Sequence, residues 1–346
     1  MIWGVRHKCL FIVFSLTKYF RSEGDYMSGK EQRNYVIGID LGGTKIKGAL
    51  ADLEGNILSS HTVPTNAFEG EEAVLGRING VIGKVLEDAG KSVDEIKAIG
   101  IGSPGPLDSQ KGIIIKTPNL PFVNFNLVGE IKKVYDLPVY LENDANVAAI
   151  AEYMFGAGKG TRNMVYVTVS TGVGGGAVIN GKLYKGSTSN ALEIGHTTLL
   201  PDGPRCNCGN YGCLEAFSSG TAIARQAREA LEAGLETSLS QYDKVTSYEV
   251  YVEAQKGDKV SKDILEKSFT YLGIGIANIV VSFDPEMIVI GGGVSKMGSV
   301  MFDKVNEVVQ ERALKAIAEK CKIVPAGLGE DTGVMGAVAL AITEAE

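Results

Sequence analysis

The chain has 346 residues, 45% of them hydrophobic, with 44 glycines, which allows a large core and favours two domains over one. Charge sums to −7, from 34 basic and 41 acidic residues with no long basic run, which argues against nucleic acid or an anionic membrane surface as partner. Five cysteines, three of them clustered, fit a reducing and therefore cytoplasmic setting.

Residues 1–27 place basic flanks around a short apolar run at 9–16. That run is too short to span a bilayer, and no small-x-small cleavage site follows it. We read a mistaken upstream start with Met27 as the first residue, the alternatives being an uncleaved anchor or a docking segment. Residues 1–34 are expected to stand outside the fold, and no membrane span is expected elsewhere.

An apolar run at 35–39 ends in Asp40-Leu41-Gly42-Gly43-Thr44-Lys45, and a second run at 46–51 leads to a turn at 54–56. This reads as strand, glycine turn, strand, turn, strand. The unit recurs: a run at 164–169, the glycine turn 170–176 (STGVGGG), a strand at 177–179 and an Asn180-Gly181 hairpin signal. An internal duplication of this kind predicts two similar α/β halves facing each other. Between the copies lie an amphipathic helix over 71–89, a strand at 98–101, and a strand at 138–141 that feeds an alanine-rich helix running to about 155. In the second half, helices are expected at 221–233, 261–282, 299–319 and 332–345, with a strand at 287–290 and a glycine turn at 291–293. Strands alternating with helices predict an α/β fold. The domains are read as 35–145 plus 331–346, a small one, and 146–330, a large one, with a hinge near 144–160.

The three glycine turns follow strands, where backbone N–H groups can cradle an anion. Thr44, Ser170 and Thr171 add hydroxyls, and Asp40 suits Mg²⁺ held through water. Lys45 either faces a phosphate or sits at a strand edge. Two other glycine patterns are set aside. The G-x-G-x-x-G match at 100–105 is followed by proline where a dinucleotide fingerprint would open a helix. The 156–160 run matches no P-loop and reads as a helix exit.

Cys206, Cys208 and Cys213 fall within eight residues, ten positions after His196. Three thiolates and an imidazole suit tetrahedral zinc with no open position, a structural site. A disulfide is the competing reading, but three thiols cannot all pair and a Cys-x-Cys bridge strains the preferred geometry. A metal clamp there would hold Glu193 and Glu215, at the ends of the segment, around one small space. Asp144 stands at a strand-to-helix junction, where it is either a helix N-cap or a carboxylate that accepts a proton from an alcohol attacking a γ-phosphate. With Asn119, Asn143, Glu193 and Glu215 it forms a polar set of the kind that hydroxyl recognition needs.

These motifs together resemble the ROK family of sugar kinases, repressors and related proteins, from residue 35 to the C-terminus. DLGGTK (40–45) and STGVGGG (170–176) resemble its phosphate motifs, and GGGVS (291–295) its adenosine segment. SPGPLD (103–108), Pro118-Asn119-Leu120 and ENDAN (142–146) resemble the sugar-site segments, and Glu193 to His196 with the cysteines resembles the zinc signature. The resemblance implies an actin/hexokinase-like ATPase fold, with two RNase H-like α/β domains and a cleft between them. It implies phosphorylation of glucose by ATP with Mg²⁺, Asp144 as base, and structural Zn²⁺ on His196, Cys206, Cys208 and Cys213. Sugar contacts are expected from Ser103, Gly105, Asn119, Asn143, Asp144, Glu193, His196 and Glu215. Nucleotide contacts are expected from Asp40, Gly42, Gly43, Thr44, Lys45, Thr171, Gly172, Gly174, Gly291 and Gly292. A homo-oligomer, dimer or tetramer, is implied as well. Another hexose or N-acetylhexosamine as substrate, or a sugar-sensing regulator without turnover, remain as alternatives. Family repressors carry a helix-turn-helix domain, for which residues 1–34 have no paired-helix pattern.

Overall fold

The structure, a computed structural model, describes residues 33–345 apart from 118. Residues 1–32 of the proposed extension, with the Met27 start, therefore lie outside the described residues. The first half begins with β1 (Tyr35–Leu41), β2 (Lys45–Asp52) and β3 (Ile57–Pro64), then α1 (Glu71–Ala89) and β4 (Ile96–Ser103). A small three-stranded sheet follows, β5 (Leu107–Asp108), β6 (Ile113–Lys116) and β7 (Val123–Phe125), then α2 (Leu127–Tyr135) and β8 (Val139–Asn143). After α3 (Asp144–Met154) come β9 (Met164–Val169), β10 (Val173–Ile179) and β11 (Lys182–Leu183). Helices α4 (Leu214–Ser218), α5 (Gly220–Glu232), α6 (Ser247–Lys256) and α7 (Lys259–Phe283) precede β12 (Met287–Gly291). The chain closes with α8 (Ser299–Arg312), α9 (Lys315–Ala318), β13 (Lys322–Pro325) and α10 (Thr332–Glu344).

The expected duplication is present in the topology. One sheet runs β3-β2-β1-β4-β8 and the other β11-β10-β9-β12-β13. In each, the first two strands of the unit pair antiparallel and the later two add parallel. The apolar face of α1, with Val74, Ile78, Val81, Ile82, Val85 and Leu86, covers one side of the first sheet. In the second half α7 is the central core helix, burying Ile264, Leu265, Phe269, Leu272 and Ile276 against β9 and β12. Its length and composition would let it cross a membrane, but most of its apolar window is buried in this core.

Helices α3 and α10 lie side by side between the sheets because small residues let them come close. A Cβ on Gly38 of β1 would stand 2.5 Å from the Val338 backbone nitrogen, and one on Gly100 of β4 2.1 Å from the Ala337 carbonyl, so α10 rests directly on the first sheet. A Cβ on Gly176 of β10 would meet the Ala145 carbonyl at 2.8 Å, which seats α3 on the second sheet. The C-terminal helix has thus returned to the first half.

One expected element differs, and several others carry no clear sequence signal. The 299–319 helix is broken at Ala313 and Leu314, which adopt extended backbone and separate α8 from α9. Helices α2 and α6 went unread, as did the β5–β7 sheet, whose strands are two to four residues long and carry little periodicity.

Candidate active site

A cavity of about 680 Å³ opens between the end of β8 and the β9–β10 glycine turn. Its wall brings together Gly105, Asn143, Asp144, Glu193, His196 and Glu215, with Thr171, Gly172 and Gly174 opposite. A second cavity, of about 640 Å³, gathers Asp40, Gly291 and Gly292 with Tyr166, Ser295 and Thr332. Thr168 and Ser170 border both, so the two adjoin as chambers of one cleft.

Asp144 is the first residue of α3. The sequence left open whether it caps that helix; the cap is its neighbour Asn143, whose Oδ1 accepts the Ala145 N–H at 2.9 Å. Asp144 Oδ1 accepts the same N–H at 2.8 Å. The residue is open to the cleft, yet the cleft walls crowd out bulk water around its carboxylate. That loss of solvent, with the negative charges of Asp40 and Glu193 nearby, pushes its pKa up to about 6 against the stabilising N–H of Ala145. Burial also raises the Asp40 carboxyl, with Lys45 and Lys47 opposing. The Asp40 carboxylate, on the wall of the second chamber, suits a hard divalent cation such as Mg²⁺ held through water.

The junction is held from behind by Glu142, which is fully buried. Its Oε1 accepts the Asn143 N–H at 2.9 Å and Asn146 Nδ2 at 3.0 Å. Eight residues along α3, Glu152 is equally buried and accepts N–H groups from Ala157, Gly327 and Leu328 at 2.9, 2.9 and 3.0 Å. It ties α3 to the segment that walls the second cavity and leads into α10. A Cβ on Gly333, in the first turn of α10, would stand 2.5 Å from Asp40 Oδ2. The positive end of a 13-residue helix therefore meets this chamber, as an anion site requires.

The glycines are needed by contact. Gly292, at φ 90°, has no room for a Cβ, which would fall 2.4 Å from the Val169 carbonyl. On Gly172 a Cβ would meet Glu215 Oε2 at 2.4 Å. That carboxylate accepts the Val173 N–H at 2.9 Å and receives the Cys206 thiol at 3.6 Å, joining the glycine turn to the cysteine loop.

The donor atoms of His196, Cys206, Cys208 and Cys213 all lie within 4.8 Å of one another. Cys208 and Cys213 sulfurs are 3.7 Å apart, and Cys206 Sγ is 3.7 Å from His196 Nδ1. A tetrahedral zinc with Zn–S near 2.3 Å puts its sulfurs about 3.8 Å apart, so the set fits the ion. The thiols are unpaired, against the disulfide reading.

Other residues read from the sequence stand apart from the first cavity. Ser103 is fully buried, its hydroxyl donating to the Pro104 carbonyl at 3.2 Å. Asn119 packs on Gly43, where a Cβ would come within 2.6 Å of Asn119 Cβ. Gly42 donates to the Lys45 carbonyl at 3.0 Å in the β1–β2 turn, leaving Thr44 and Lys45 exposed there. Sequence reasoning missed Ser189 and Asn190 on the cavity wall and Thr332 in the second chamber. The run Ser187-Thr188-Ser189-Asn190 just before Glu193 was the available signal for the first two.

Comparison with known proteins gives one family and near relatives. The ROK family model matches residues 36–344. A glucokinase of Halalkalibacterium halodurans is 38% identical over 307 residues, covering 87% of this chain and 93% of its own. A solved ROK hexokinase from Thermus thermophilus matches with TM-score 0.79 at 36% identity, covering 90% of this chain and 98% of that one. A ROK family glucokinase from Streptomyces griseus, in complex with glucose and AMPPNP, matches with TM-score 0.73 at 32% identity, covering 89% and 99%.

Proposed function

The chain belongs to the ROK family, and from that membership we propose that it transfers the γ-phosphoryl group of ATP to the 6-hydroxyl of glucose. The observation that carries the proposal is Asp144 on the wall of a polar, sugar-sized chamber that adjoins a glycine-walled one. The glucokinase relatives, and the glucose and AMPPNP held by one structural neighbour, support the choice of both substrates.

In this reading the sugar hydroxyl gives its proton to Asp144 while its oxygen attacks the γ-phosphorus and ADP leaves. Phosphoryl transfer passes through a loose transition state, so alignment and charge neutralisation count for more than base strength. Asn143, Glu193, His196 and Glu215 orient the hydroxyls, each of which can donate and accept. The turns at 42–43, 172–174 and 291–292, with the α10 N-terminus, hold the nucleotide. Mg²⁺ near Asp40 would offset phosphate charge. His196, Cys206, Cys208 and Cys213 would hold a structural zinc, which would fix the histidine tautomer and leave the other ring nitrogen of His196 free to meet a sugar hydroxyl. Residues 35–145 with 331–346 are taken as one lobe and 146–330 as the other. A cytoplasmic homo-oligomer, dimer or tetramer, completes the proposal.

A coupled assay across glucose, mannose, fructose, N-acetylglucosamine and N-acetylmannosamine, with ATP and with polyphosphate, tests the function. Glucose with ATP is expected to give the highest kcat/KM; turnover of none of these sugars would end the kinase reading. The acid limb of that profile has a defined sign. Asp144 must be ionised to accept a proton and its pKa is near 6, so kcat/KM is expected to be level above that pH and to fall about tenfold per unit below it. A flat profile down to pH 5 would count against the base.

Glu152→Gln tests the far end of α3. Its amide can still accept, but its NH₂ opposes backbone donors that now meet a carboxylate. KM for ATP is expected to rise about tenfold, with KM for glucose little changed. Steady-state kinetics on both substrates, with Glu152→Asp as a partial rescue, separate this from general destabilisation.

A further inference from the structure

A third cavity, of about 620 Å³, lies beside the edge strand β8. The β5–β6 turn, α2, the chain after β11 and the end of α10 form its other walls. Lys111, Lys132 and Lys185 line it from three different elements, against one lining acid, Glu344. Lys111 is largely exposed and pairs only with Asp108, at 2.9 Å, a surface pair that holds it weakly. Lys132 has no ion-pair partner among the described residues.

Lys185 connects this cavity to the reacting end of the strand. It pairs with Glu344 and stands 3.5 Å from Glu142 Oε2. That oxygen is buried and makes no hydrogen bond among the described residues, whereas Oε1 of the same carboxylate holds the Asn143 N–H and the Asn146 amide. Lys185, Glu142 and Asn143 thus form a line from the cavity to the residue before Asp144. Ser189 borders both this cavity and the sugar chamber, and its hydroxyl lies 2.7 Å from that of Ser109, forming a polar partition.

We propose that this cavity binds a sugar phosphomonoester, the product class of the reaction, and that its occupation lowers activity; the regulatory half rests on the kinase reading above. The lysines supply charge for the phosphate. Ser109, Gln110 and Ser189 supply hydrogen bonds for hydroxyls. A dianion bound there competes with Glu142 for Lys185. The buried carboxylate then loses its nearest cation and becomes costly to keep charged, and the strand end that presents Asn143 and Asp144 loosens. By linkage, a ligand that loosens the sugar site is itself bound less tightly when sugar is present.

The test is calorimetric titration of glucose 6-phosphate, and separately of inorganic phosphate, into protein saturated with glucose so that the cleft is filled. One binding event is expected, weakened about tenfold or more by the double substitution Lys111→Glu and Lys132→Glu. The same variant should keep kcat and the KM for glucose within about twofold of the parent. Inhibition by glucose 6-phosphate is expected to be mixed with respect to glucose, lowering kcat as well as raising KM, and to be relieved in the variant. Purely competitive inhibition, or equal binding to parent and variant, would overturn the site. Equal affinity for phosphate alone would overturn the sugar part of the assignment. Lysine-dependent binding in a protein that turns over no sugar would uphold the cavity and defeat the kinase reading instead.

Discussion

Replacing Asp144 by asparagine is expected to lower kcat by about 10³-fold, the usual scale for removing a positioned general base. The substitution keeps shape and one acceptor oxygen, so the Ala145 N–H retains its partner and α3 keeps its Asn143 cap. KM for ATP should change little. Stability should not fall, and the sign follows from the environment. Asp144 has a pKa raised to about 6, so the fold disfavours its ionised form. That unfavourable contribution is present above the folded pKa and disappears as pH drops below the ordinary carboxylate range. At neutral pH the neutral amide therefore relieves a cost, and the melting temperature is expected to hold or rise. A variant with normal turnover would remove Asp144 from the mechanism. A variant that lost activity only because it unfolded would show a lowered melting temperature.

The fold was legible wherever local pattern and tertiary role agree. The 35–52 and 164–179 segments each carry strand, glycine turn and strand in sequence, and the two sheets repeat one order around β1 and β9. Helix α1 was legible because its buried positions follow the 3.6-residue period. Helix α6 was not: it is short, with mixed polarity, and packs along α7 instead of presenting a clear stripe to a sheet. In the site, the cysteine cluster and Asp144 stood out by residue type and spacing. Glu142 and Glu152 did not, because their importance lies in burial and in which backbone N–H groups reach them across long sequence distances. Gly105 and Asn143 line the first cavity, while Ser103 is fully buried at the last position of β4. Every residue of β4 after Lys97 is buried, so alternation along the strand does not single Ser103 out.

The second large effect is expected at Cys208. Changing it to serine removes one of four donors from the His196, Cys206, Cys208 and Cys213 set. Serine is a poor zinc ligand at neutral pH, so the ion should be lost or held far more weakly. The consequence should reach the sugar chamber through two connections. His196 belongs to both the donor set and the chamber wall. Glu215, which also lines the chamber, touches the Cys206 thiol on one side and the Val173 N–H of the glycine turn on the other. Loosening the loop therefore frees two sugar-facing groups at once. KM for glucose is expected to rise about 10–100-fold, the scale seen when the supports of a metal site are removed. Nucleotide affinity should fall much less, since of the groups assigned to the nucleotide only the 172–174 turn leans on Glu215, while Asp40, Gly291 and Gly292 stand in the neighbouring chamber.

Calorimetric titration of glucose into parent and Cys208→Ser protein, each with its zinc content measured, is the most direct test of the central claim. In this reading one metal-ordered loop shapes the sugar chamber beside Asp144. Zinc and glucose affinity are expected to fall together in the variant while ATP binding stays within about threefold. Zinc-free protein that binds glucose as tightly as the parent would contradict it.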